Sequence, residues 1–242
     1  MKKTTALLVG TVATMLAVQN LMADVIADWT FQSALSTNNI IGTGFTPSGT
    51  QSGILADIGT GTASASHATV TSAWSIPSGN GSANAWSANN WSVGDYYQFQ
   101  VSTIAFQNIN ISFDQTSSGT GPRDFGLFYS TDGTIFTQFG VNYTVLANGG
   151  APNAAWNATT ANSVYSFAFD LSAITALNNS SADYFRLVDM STTSANGGAV
   201  GTGGTDRVDN FVVNGASTVP EPATLALMGM GLAALVALRR KI

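Results

Sequence analysis

The 242-residue chain contains no cysteine. Disulfide staples, thiolate metal centres and cysteine nucleophiles are therefore excluded. Its long middle is equally short of other chemistry. From Asp24 to Thr218 there is no lysine and no glutamate, and His67 is the one histidine. Arg123, Arg186 and Arg207 stand there against twelve aspartates, a formal charge of −9. Such a surface repels phosphate backbones and anionic lipid, which removes nucleic acid and a membrane surface as partners of this segment. Helical periodicity is missing as well.

The basic residues left over sit at the two ends. The chain starts Met1-Lys2-Lys3, continues with an apolar run from Ala6 to Val18, and reaches Leu21-Met22-Ala23 before turning polar. A basic start, an apolar stretch and a small residue predict a secretory signal peptide over 1–23. Leu21 departs from the small-residue rule at its position, and an uncleaved N-terminal anchor is the alternative. At the other end Val219-Pro220-Glu221-Pro222 precedes an uncharged run over 223–238 and the tail Arg239-Arg240-Lys241-Ile242. As a helix that run would reach about 24 Å, slightly short of the hydrocarbon core, a deficit that thinning and snorkelling arginines cover. The basic tail would hold the C-terminus in the cytoplasm, with the precursor in the inner membrane and the rest of the chain outside.

Between the ends, period-two patterning predicts an all-β domain over 24–217, an antiparallel β-sandwich of roughly ten strands. In Tyr96-Tyr97-Gln98-Phe99-Gln100-Val101 and in Ile109-Asn110-Ile111-Ser112-Phe113-Asp114 every second residue is apolar. Residues 125–129 and 135–139 flank Thr131-Asp132-Gly133, a hairpin signal. Further strands are expected over 25–31, 68–76, 141–146, 164–169, 184–188 and 208–213, with loops at 43–53, 78–90 and 191–204. No fixed repeat marks a solenoid. About 195 residues suffice for one core without staples.

Catalytic chemistry finds little support. A Ser-His-Asp triad could use only His67, and no Gly-x-Ser-x-Gly elbow is present. A glycosidase pair of carboxyls could be drawn from the twelve aspartates, but none stands in a distinctive context. The three arginines are expected to pair with neighbours such as Asp124 and Asp206. Trp74, Trp86, Trp91 and Trp156 invite a sugar-stacking reading, and Trp86 and Trp91, which bracket a polar Ser/Asn stretch, could form a platform; the competing reading is ordinary core or loop-anchoring tryptophan.

Residues Val219 to Lys241, with Pro220, Glu221, Pro222, Arg239 and Arg240, resemble the PEP-CTERM sorting signal of Gram-negative bacteria, a tail also labelled ice-binding protein C-terminal domain. The resemblance implies an exported protein processed by an exosortase-type membrane protease. The prolines flanking Glu221 would hold the backbone extended and delay a helix start. Two further stretches, Ser118 to Phe125 leading to Tyr129 to Gly133 and Phe185-Arg186-Leu187 leading to Gly204 to Asn210, resemble bodies often found ahead of such tails, and the second also resembles jelly-roll carbohydrate-binding modules. That likeness implies a structural calcium ion between the first and last strands, with Asp28 and Asp209 as ligands. The function implied is an exported, non-enzymatic cell-surface or extracellular-matrix protein associated with exopolysaccharide or biofilm. A carbohydrate-binding module with a defined glycan site is the alternative, and a secreted hydrolase a third.

Overall fold

The computed structural model describes residues 23–32, 46–47, 50–149 and 153–219. The expected signal peptide, apart from its last residue, and the motif and tail from Pro220 onward lie outside them. Among the described residues fourteen strands form two antiparallel sheets. One sheet runs β12 (Ser166–Asp170), β9 (Phe106–Ser117), β14 (Thr205–Ser217), β7 (Trp86–Asn89), β6 (Ala73–Ser75) and β2 (Thr46–Pro47). In it β1 (Ala23–Trp29) also pairs with β14, and β4 (Ile58–Gly59) with β1. The other sheet runs β11 (Thr137–Thr144), β10 (Asp124–Ser130), β13 (Asp183–Asp189), β8 (Tyr96–Val101), β5 (Gly61–Ser66) and β3 (Thr50–Leu55).

Aromatic rings from both inner faces hold the sheets together. Phe99 of β8 stacks on Phe211 of β14 with centroids 3.5 Å apart, and Trp29 of β1 meets both rings edge-on. Burying side chains of this size contributes about 2–3 kcal/mol each, which replaces disulfides as the source of stability.

Strand β8 covers the expected residues, β13 extends its expected range by one residue at each end, and β14 by three and four. The strand expected over 68–76 shrinks to β6, and the residues expected over 135–139 and 141–146 merge into β11. The expected loops at 43–53 and 78–90 are corrected: the first contains β2 and the start of β3, and the second contains β7, a strand of the core sheet.

Candidate functional site

Successive strand residues face opposite sides of a sheet. In the six-stranded sheet Tyr97, Phe99, Phe125, Leu127, Phe185 and Leu187 enter the core, whereas Tyr96, Gln98, Gln100, Phe128, Tyr184 and Arg186 turn outward and are partly exposed. Register draws the outward residues into rows across five strands. Ser64 lies opposite Gln98, Gln98 opposite Arg186, Arg186 opposite Phe128 and Phe128 opposite Gln138. The next row holds Thr62, Gln100, Tyr184 and Ser130.

Arg186 sits at the centre of the first row. Its Nε donates to Gln98 Oε1 at 2.8 Å, and the Gln98 amide donates to Ser64 Oγ at 3.2 Å. The guanidinium carbon lies 3.9 Å from the Tyr96 ring centroid and 3.5 Å from that of Phe136. Both rings therefore pack against the guanidinium. Desolvation by these neighbours lowers the arginine's pKa from its ordinary value, although a guanidinium stays charged.

The loop that delivers Phe136 is fixed by its own turn. Asp132 Oδ1 accepts the Thr134 and Ile135 amides at 2.8 and 2.9 Å and the Ser130 hydroxyl at 2.8 Å. Those bonds hold its carboxyl well below the usual range. Gly133 has φ 72°, and a Cβ there would stand 2.9 Å from Tyr184 Cζ. Only glycine lets the turn lie against that ring.

At the β3 side the second row opens into a groove of about 430 Å³. Thr60, Thr62, Gln100, Ser102 and Ser181 line it with hydroxyl and amide groups, Leu55 supplies an apolar wall, and no carboxyl faces it. Groove and rows form one continuous surface of hydrogen-bonding side chains, half-buried rings and a single cation.

The residues singled out from the sequence are placed elsewhere. The sugar platform on Trp86 and Trp91 is corrected: they are 0 % and 5 % exposed. Trp86 packs on Trp74, Tyr97 and Phe31, and Trp91 on His67, Tyr97 and Phe125. No ring face is left for a sugar. Asp28 and Asp209 have separate surroundings. Asp28 lies beside Asp57, and burial with that charge raises its pKa to about 6. Asp209 Oδ2 accepts from the Asn80 amide at 2.9 Å and Ser82 Oγ at 2.7 Å. Among the described residues no three His, Asp or Glu groups converge as for a metal ion. Val219, the first of the sorting residues singled out from the sequence, is exposed just beyond β14.

His67 does have a serine and an aspartate beside it. Its Nδ1 lies 3.0 Å from Ser72 Oγ and 3.6 Å from Asp95 Oδ2. Both partners address the same ring nitrogen, so the imidazole cannot pass a proton between them as a triad requires. All three are buried, and desolvation lowers the histidine pKa to about 4, leaving it neutral.

Of the arginine pairs, Arg123–Asp124 forms at 2.8 Å. The Arg207–Asp206 pair does not, because neighbours along a strand point oppositely. Asp206 is instead the centre of a buried network. It accepts Gln115 Nε2 and Ser117 Oγ, each at 2.9 Å, and the Tyr143 hydroxyl donates to Gln115 Oε1 at 2.8 Å. Burial pushes the Asp206 carboxyl far above its usual range.

Residues 218–241 carry a PEP-CTERM protein-sorting motif. It indicates an exported, membrane-anchored precursor sorted to the surface. No curated protein matches the chain. Similar solved structures include the K1 cleaved adhesin domain of Lys-gingipain from Porphyromonas gingivalis W83, at 11% identity and a TM-score of 0.36 over 59% of this chain and 82% of that one. A structure described as CBM4 shares 12% identity at a TM-score of 0.33, covering 78% of this chain and 84% of its own. TmCBM61, solved with β-1,4-galactotriose, shares 9% at a TM-score of 0.29, covering 70% and 84%.

Proposed function

We propose that this is a non-enzymatic surface or extracellular-matrix protein that holds extracellular polysaccharide on the outward face of its six-stranded sheet. The supporting observation is the pair of rows running from Thr62 and Ser64 across Gln98, Gln100, Tyr184 and Arg186 to Gln138. Amide and hydroxyl side chains offer donors and acceptors to sugar hydroxyls, and half-buried rings offer apolar contact to pyranose faces. Among the described residues neither the rows nor the groove carries a carboxyl, whereas glycoside hydrolysis uses two.

In this reading the chain divides into a signal peptide at 1–23, the sandwich at 24–217 and the sorting segment at 218–242. An exosortase-type protease acts on Pro220-Glu221-Pro222 while the run over 223–238 holds the precursor in the inner membrane. Glu221→Ala, or deletion of Arg239, Arg240 and Lys241, is expected to leave unprocessed precursor in that membrane. Normal release and mature size in both variants would end the exosortase assignment. For the face itself, the full-length protein is titrated against a panel of immobilised neutral and acidic polysaccharides. Saturable binding that Gln100→Ala and Tyr184→Ala each weaken at least about tenfold supports the reading. Absence of binding to every member of the panel rejects it.

A further inference from the structure

We infer that Arg186 is a carboxylate-binding subsite, and that the polymer held on this face is therefore acidic, carrying uronic-acid carboxylates. The inference rests on the proposed polysaccharide-binding face and names the chemistry of its occupant.

The argument starts from what the guanidinium lacks. Arg123 shows an arginine already satisfied: its Nε and Nη2 close on the Asp124 carboxylate at 2.8–3.1 Å. Arg186 has no such partner. One of its five N–H groups is used by Gln98, and the four on the terminal nitrogens meet no acceptor among the described residues. Neither nitrogen is among the fully enclosed atoms left without a partner, and the residue is partly exposed. Arg207 differs here, since its Nε is enclosed and cannot be offered outward.

The surroundings restrict what fits. Tyr96 and Phe136 both lie against the guanidinium carbon, which leaves the terminal nitrogens as the groups a ligand can reach. A carboxylate docks in the guanidinium plane with two parallel hydrogen bonds, whereas a neutral hydroxyl uses only one of them. The clamp and the Gln98 bond, itself held by Ser64, fix the fork before ligand arrives, which lowers the ordering cost of binding. No carboxylate occupies either row, so the cation is not neutralised from within. Asp132, the acid of the adjoining turn, is engaged by the Thr134 and Ile135 amides. The domain's formal charge of −9 opposes a polyanion at long range, so the attraction must be local, at a cation that no carboxylate of either row neutralises. Sugar carboxylates spaced along a polymer, between hydroxyl-bearing rings that meet Gln98, Gln100 and Thr62, suit one cation set in a polar row.

The test uses full-length protein, polygalacturonate, and the same polymer after reduction of its carboxylates to alcohols. Wild-type protein is expected to bind the acidic polymer at least about tenfold more tightly than the reduced one, the worth of a charge-assisted bidentate contact. Arg186→Gln should erase that difference while the unfolding midpoint stays near wild type. Arg186→Lys, which keeps the charge without the fork, should retain part of it. Equal binding to both polymers, unaffected by Arg186→Gln, overturns the carboxylate subsite and leaves the polysaccharide face standing. Binding to neither overturns both. Capture of poly-glutamate in preference to either polymer also overturns it, by identifying an acidic protein as the partner.

Discussion

The two sides of the six-stranded sheet are made by the same residues of chain, taken alternately, and they have opposite economies. On the inner side Tyr97, Phe99, Phe185 and Leu187 are fully buried. Facing them from the other sheet, Asp206 is closed into a network with Gln115 and Ser117, and the Tyr97 hydroxyl donates to its carbonyl. On the outer side the half-buried Tyr96, Gln98, Tyr184 and Arg186 leave donors unused. The contrast separates two kinds of polar residue. Those closed into a network specify the fold, and those left open on a rigid support are available to a ligand.

Neighbouring residues of β13 offer the most direct way to break the comparison. Phe185→Ala removes a core ring and is expected to cost about 3–5 kcal/mol in denaturant unfolding, with binding by the surviving folded fraction unchanged. A smaller effect is expected at Asp206→Ala, which strands the Gln115 and Ser117 donors; about 2–3 kcal/mol should be lost in the same measurement.

The acidic interior makes a third prediction. Burial raises the carboxyls of Asp189 to about 7 and of Asp28, Asp183 and Asp209 to about 6. Folded-state pKa values above those of the unfolded chain mean that the native state holds more protons, so this contribution is present at acid pH and lost as pH rises through about 6 to 7. His67 works against it, its lowered pKa favouring the native state above the ordinary histidine value and less as pH falls towards about 4. Four carboxyls outweigh one imidazole, so the melting temperature should be higher near pH 5 than near pH 8. A midpoint that rises with pH across that interval would show that these groups are solvated. The smallest stability change is expected at Arg186→Gln, about 1 kcal/mol or less for the loss of the ring clamp. A far larger loss would move Arg186 to the structural side of the comparison.

The strands with large alternating residues, β8 and β13, were legible because rings and branched chains on every second position have no other economical packing. Strands β5 and β7 were not. β5 reads Gly-Thr-Ala-Ser-Ala-Ser, and its inward residues are small because Trp29 fills the space: a Cβ on Gly61 would stand 2.7 Å from that ring. The size of a partner distant in sequence therefore hid the strand. The same distance hid the face. Ser64, Gln98, Arg186, Phe128 and Gln138 come from five strands, and nothing local to any of them announces the row. Trp86 misled for the converse reason. Its Ser and Asn neighbours read as an exposed loop, yet Ser87 is itself buried, with its hydroxyl on the Asp206 carbonyl at 2.8 Å.

The place of β14 in the larger sheet has a mechanical consequence. This strand leads directly into the sorting segment and is flanked on one side by β9 from Phe106 to Ser117 and on the other by β1 and β7. A tether pulling at residue 219 against a load on the opposite sheet would draw β14 lengthwise between neighbours. Their hydrogen bonds would then share the force together instead of opening one after another, as they would if an edge strand were peeled. In the membrane-anchored precursor the tether thus meets a strand paired along both of its edges.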